Sequence, residues 1–252
     1  MPRTTEPAGE RRSETVGAFT SAPAPETGLG VAAELPAWLP ALLQLSSPAM
    51  PTGAFSYSQG LETACERGLV HDEASALAWI DSHWRTAFHC RELPTLEAAW
   101  HAAQSGDAAR LVAIDERFVA SRDSAESRAE TLQVGAALVR WLQILHPDAA
   151  ESALVRETRS RLSAPVVYAL CARTQGLPAQ ATVFGYGFAW LENQVQAAVK
   201  LVPLGQSAGQ RLQMALRPRL ADPLPQRPWS FAPIAAIMAM RHERQYTRIF
   251  RS

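Results

Sequence analysis

The stretch PAQATVFGYGFAWLENQVQAAVKL, residues 178–201, admits three readings: a membrane span, a nucleotide-binding loop, or a buried helix. The uncharged run that overlaps it, Thr174 to Leu191, contains Gln175, Pro178 and Gln180. It falls short of the about 20 mostly apolar residues that a span requires. Gly185-Tyr186-Gly187 begins a dinucleotide fingerprint, but Trp190 stands where the third glycine belongs, and the surroundings are helical. A helix remains. Phe184, Phe188, Leu191, Val195 and Val199 recur at steps of three and four along one side, and the small residues permit close helix packing.

The same period extends outward from this segment. Upstream, Pro165 to Arg173 forms a partner helix that stops at Gly176. Asp72, Asp107 and Ser124 read as N-caps. Leu77, Ile80, Trp84 and Phe88 follow the first, Leu111, Ile114 and Phe118 the second, and Leu138, Leu142 and Leu145 the third. Pro94 is expected to break the first of these helices and start another, ending at Ser105-Gly106. A polar, Arg-rich helix runs from His146-Pro147-Asp148 to about Leu162. With no hairpin signal or sustained alternation, the chain reads as all-α, a single-domain bundle of roughly ten helices over residues 34–252. Residues 1–33 lack apolar periodicity and read as a disordered extension.

Composition excludes several function classes. Apolar residues are 47% and charged residues 19%, a globular balance. Formal net charge is zero, so nothing global draws the chain to nucleic acid or an anionic membrane. Lys200 is the only lysine and Leu201 follows it, which rules out a P-loop. The three cysteines, Cys65, Cys90 and Cys171, have no paired spacing and fit a reducing cytoplasm.

PAMPTGAFSYSQGLETACERG, residues 48–68, is rich in hydroxyl and aromatic groups. A nucleophile elbow at Ser58 lacks its first glycine and has no preceding strand, so Ser56 or Ser58 reads better as a helix cap beside a turn at Gly53. His83 and Cys90 would share a helix face but stand about 10.5 Å apart along the axis, too far to share a metal. No HExxH or Glu-x-x-His pattern is present. The expectation is therefore no catalytic residue, no bound cofactor and no metal site. A helical enzyme using a metal or a serine nucleophile is the alternative.

The C-terminal end is unusual for a terminus. If WSFAPIAAIMAM, residues 229–240, is a core helix that continues through RHERQYTRIFRS, then Arg241, Arg244, Arg248 and Arg251 align on one face and His242, Tyr246 and Ile249 on another. Such a tail either docks into a partner or folds back onto the chain's own acidic residues.

Three stretches together resemble the UreF family of urease accessory proteins: LLQLSSPAMPTGAFSYSQGLE (42–62), VKLVPLGQSAGQ (199–210) and MRHERQYTRIFRS (240–252). The resemblance implies an all-α, non-enzymatic, homodimeric scaffold. It would bind UreD (also called UreH) and, through it, the GTPase UreG and apo-urease. Nickel would be handled by the assembled complex, which also supports lysine carbamylation. On this resemblance the partner-binding residues are Phe55, Tyr57, Ser58, Gln59 and Glu62 in the first stretch, and Lys200, Gln206 and Gln210 in the second. Arg241, His242, Glu243, Gln245, Tyr246, Arg248 and Phe250 complete the set in the third.

Overall fold

A computed structural model describes residues 35–158 and 161–251. Residues 1–33, expected to be disordered, lie outside the described residues. Eleven α-helices run in chain order among them. They are α1 (Leu39–Leu45), α2 (Leu61–Glu66), α3 (Glu73–His83), α4 (Leu93–Gln104), α5 (Ala108–Ala120) and α6 (Ala125–Leu145). After these come α7 (Ala150–Thr158), α8 (Ala164–Thr174), α9 (Ala179–Leu201), α10 (Gln206–Leu216) and α11 (Pro233–His242). No strand occurs among the described residues.

Local chemistry sets most of the boundaries. Asp72 accepts from the Ser75 amide in a capping box that starts α3. The Asp107 and Ser124 side chains accept from the amides of Arg110 and Ser127 to start α5 and α6. Pro165 occupies the first turn of α8, where its missing N–H costs nothing.

Pro94 stands in the first turn of α4, so the expected helix start is met, but the expected break is not. The chain does not break there; α3 passes into α4 through a π-helical segment, Trp84–Glu92. The Leu93 amide reaches back five residues to the Phe88 carbonyl. Cys90, whose carbonyl Pro94 cannot engage, instead accepts from the Trp229 amide at 2.9 Å, and Thr86 accepts from the Phe231 amide at 2.8 Å. The connector leading to α11 thus supplies the donors that the widened helix leaves wanting.

Two apolar clusters form the core. In one, α8 is buried from Ala164 to Ala172 and packs against α4 and α6. The other gathers Leu61, Ile80, Trp84, Phe88, Leu212 and Met238 around the C-terminal half of α9. Along α9 the expected stripe holds only in part: Leu191 and Val195 are buried, whereas Phe184 and Phe188 are exposed. The glycines turn inward instead. A methyl at Gly185 would meet the Leu42 side chain at 2.5 Å, and one at Gly187 the Trp84 ring at 3.0 Å. Close approach of α1 and Trp84 therefore decides which face points in.

The C-terminal apolar segment is also not a fully buried core helix. In α11, Met238, Ala239 and His242 face inward, while Ile234, Ile237 and Met240, with Trp229 and Phe231 before them, remain exposed. No helix among the described residues is long and apolar enough to cross a membrane.

Candidate interaction site

The loop at 48–60 and the C-terminal tail form one construction. Gly53 takes a left-handed conformation (φ +72°) and opens a 3-10 turn, Ala54–Ser56. Gln59 (φ +53°) and Gly60 (φ +85°) are both left-handed and swing the backbone into α2. A glutamine pays a steric cost in this region, and its side chain is anchored at both ends. Its Nε2 donates to Glu130 Oε1 at 2.7 Å, and its Oε1 accepts from Trp190 Nε1 at 2.8 Å. The Tyr57 hydroxyl donates to Gln133 Oε1 at 2.6 Å, and Asn193 Nδ2 donates to the Tyr57 carbonyl at 3.2 Å. Burial raises the Tyr57 phenol above its ordinary range, partly offset by the neighbouring Arg251.

Ser58 is fully buried, and its Oγ accepts from the Glu62 amide at 3.3 Å. It thereby satisfies an amide in the first turn of α2 from two residues before the N-cap Gly60, in keeping with the capping role expected of Ser56 or Ser58. The Cys65 thiol is pushed up to about 11 by burial, with the Glu62 charge adding to the effect, so it carries little thiolate near neutrality. No group of three or more His, Cys, Asp or Glu side chains able to hold a metal ion occurs among the described residues.

Glu62 organises the tail. Its carboxylate, buried at the start of α2, accepts from the Ile249 amide at 2.6 Å, from the Phe250 amide at 2.9 Å, and lies 3.1 Å from His242 Nε2. The other ring nitrogen of His242, which is fully buried, lies 2.7 Å from Glu126. Glu126 also accepts from Arg248 at 2.6 Å, and Glu243 accepts from the Ala125 amide at 2.9 Å at the start of α6. Thr63 donates to Gln245, and the Arg251 amide donates to the Ser56 carbonyl. The Lys200 ammonium stands 5.8 Å from the Phe250 ring centre.

The tail therefore folds back on its own chain, paired with Glu62 and Glu126. Its helix ends at His242, so the stripe of Arg241, Arg244, Arg248 and Arg251 does not form. Tyr57, Ser58, Glu62, His242 and Phe250, expected at a partner surface, are buried and hold the loop and tail together. Phe55, Lys200, Arg241, Glu243, Tyr246 and Arg248 are exposed around them, with Gln59 and Gln245 half-buried. Gln206 and Gln210 lie exposed on one face of α10. The sequence reading missed Glu126, Glu130, Gln133, Trp190 and Asn193, which hold the loop and tail from α6 and α9. The signal for three of them was a polar stripe at 126, 130 and 133 on a helix already recognised.

The UreF family model matches residues 70–217. The chain is 44% identical over 220 residues to the urease accessory protein UreF of Dechloromonas aromatica, covering 84% of this chain and 96% of that protein. Against the UreF of Bordetella parapertussis it is 44% identical over 220 residues, covering 83% of this chain and 100% of that protein. The bifunctional urease accessory protein UreEF of Bordetella bronchiseptica is 45% identical over 224 residues, covering 85% of this chain and 52% of that protein.

Proposed function

The chain belongs to the UreF family of urease accessory proteins, and from that premise we propose that it is a non-catalytic scaffold acting with UreD (UreH) to recruit the GTPase UreG to apo-urease. In this reading it works in the cytoplasm as a homodimer, binds no nucleic acid and no membrane, and carries no resident cofactor. Nickel is the cargo of the assembled complex, delivered as the urease lysine is carbamylated. A relative whose name joins UreE and UreF in one chain supports a place for this fold among several accessory proteins.

The observation that carries the reading is the docked tail. Glu62 and Glu126 hold His242, Arg248, Ile249 and Phe250, and residues 243–250 follow a non-helical path that leaves Tyr246 and Ile249 standing out. Tyr246 is fully exposed and Ile249 largely so. An aromatic and an aliphatic side chain set among Arg241, Glu243 and Arg248 have the make-up of an interface anchor with a charged rim.

The test is co-purification with the UreD and UreG homologues. Cutting the chain at Met240 would remove the buried His242 and unsettle the fold, so surface changes are preferable. Tyr246→Ser combined with Ile249→Asp should abolish UreD capture while the circular dichroism spectrum and thermal midpoint stay unchanged. Capture unaffected by the double change would move the interface to Phe55 and the Gln206–Gln210 face. Failure of the unaltered chain to bind UreD at all would sink the proposal.

A further inference from the structure

We propose that a groove along α6 binds an acidic, partly apolar peptide segment of a protein partner, separately from the tail face just described. The groove encloses about 740 Å³, and Arg128, Arg140, Arg161 and Arg251 line it. All four are exposed, and among the described residues no acidic side chain lines the groove. Overall the chain has zero formal charge, so four guanidinium groups around one concavity are a local segregation of charge.

The acidic residues of α6 are engaged elsewhere. Glu126 holds His242 and Arg248, and Glu130 holds Gln59. Among the described residues, Arg128, Arg140 and Arg161 have no ion-pair partner. Arg251 lies beside the Tyr57 hydroxyl. Among the described residues, then, no carboxylate neutralises Arg128, Arg140 or Arg161, which suits them to an external anion.

Groove length and floor select the kind of anion. Arg128 and Arg140 are twelve residues apart on one helix, about 18 Å along its axis. A single phosphate cannot bridge that span, whereas five or six residues of extended peptide, at about 3.3 Å each, match it. Between Arg128 and Arg140 the α6 lining is mixed, with Ala129, Leu132, Ala136 and Ala137 beside Gln133. Carboxylates at both ends and a small apolar side chain between them complement this surface. Arginine suits the task because its planar fork pairs with a carboxylate through two parallel hydrogen bonds.

The experiment is fluorescence anisotropy on the full chain. The probe is a fluorescein-labelled peptide, Glu-Glu-Leu-Ala-Glu-Glu, with its lysine counterpart, Lys-Lys-Leu-Ala-Lys-Lys, as control. The acidic peptide should bind, more weakly as salt rises, and the basic one should not. Replacing Arg128 or Arg140 by Ala should weaken binding roughly tenfold each, the scale of one charge-assisted contact. R128E with R140E should abolish it, and R110E on α5 should leave it unchanged. Circular dichroism and thermal midpoints would establish that each variant is folded.

Three outcomes overturn the proposal. Equal binding by R128E/R140E would place the peptide elsewhere. Displacement by inorganic pyrophosphate at concentrations equal to the peptide's would make the groove a phosphate site. Loss of self-association in R128E/R140E, without loss of peptide binding, would assign the groove to a second copy of the chain.

Discussion

At Gly60 the backbone is left-handed, φ +85°, and a methyl there would stand 3.1 Å from the Ala239 amide nitrogen and 3.2 Å from the Ala235 carbonyl oxygen of α11. Neither atom is a flexible side-chain end. Gly60→Ala should therefore cost about 3 kcal/mol, combining about 1 kcal/mol of left-handed strain with the overpacking of two backbones. Gly68 makes the comparison clean: its φ is +72°, but open space surrounds it, so Gly68→Ala should cost only about 1 kcal/mol. Urea unfolding of both variants, with m-values held equal, measures the difference. Equal losses would show that α11 does not press on the loop. Glu62 permits a second prediction at this scale. Glu62→Gln keeps one acceptor oxygen but turns an NH2 group toward a buried donor. It should cost about 2 kcal/mol and speed amide exchange at Ile249 and Phe250 before the rest of the chain. Exchange unchanged at those two amides would mean the carboxylate does not hold the tail. Sequence reasoning drew attention to both residues without reaching their roles. A motif marks Gly60 and Glu62 as special, but the partners that explain them, Ala239 and Phe250, come from the far end of the chain.

Helix starts were the most legible elements, because a cap is local chemistry: Asp72, Asp107 and Ser124 all accept from the amide three residues on. Pro94 and the tail were less legible for a shared physical reason. In each, the backbone groups find partners distant in sequence. At Pro94 the connector donates to the π-segment, so the helix continues past the proline. In the tail, Glu62 takes the amides that a longer α11 would have used internally, and His242 turns inward between two carboxylates. Pro94→Ala tests the first account. It adds an N–H directed at the Cys90 carbonyl, in competition with the Trp229 amide at 2.9 Å. Hydrogen exchange should accelerate at Trp229 and Phe231 while overall stability changes by less than about 1 kcal/mol, since one hydrogen bond replaces another. A variant that unfolds outright, or one with unaltered exchange at 229 and 231, would show that the connector is held by something else.

Across the whole molecule, α9 joins the two apolar clusters, with Val183 and Tyr186 packed against both. Beside this junction lie the buried Arg91, Glu92 and Arg122, with the exposed Asp123 at their edge. Arg122 pairs with Glu92 at 2.7 Å, and Arg91 contacts Asp123 at 3.5 Å. The half-buried His83 stands close by, and its Nδ1 is sealed and has no hydrogen-bond partner among the described residues. Burial lowers the His83 imidazole from 6.5 to about 3, and the charges of Arg91 and Arg122 push in the same direction. Above pH 6.5 the ring is neutral in both folded and unfolded chains and has no effect on the balance. As pH falls from 6.5 toward 3, the unfolded chain takes up a proton that the folded one refuses, so stability declines. The slope is at most about 1.4 kcal/mol per pH unit, or about 2 kcal/mol between pH 6.5 and 5. Asp115, whose carboxyl is raised by burial, works in the opposite sense as pH falls toward its own range, which makes pH 5 a sensible lower bound. His83→Gln removes the titration and keeps a polar side chain of similar reach. Urea unfolding at pH 7 and pH 5 should show a loss for the original chain that the glutamine variant lacks for the most part. An equal loss in both proteins would place the acid sensitivity in other groups and leave His83 as a packing residue beside Trp190, whose ring centre is 5.4 Å away.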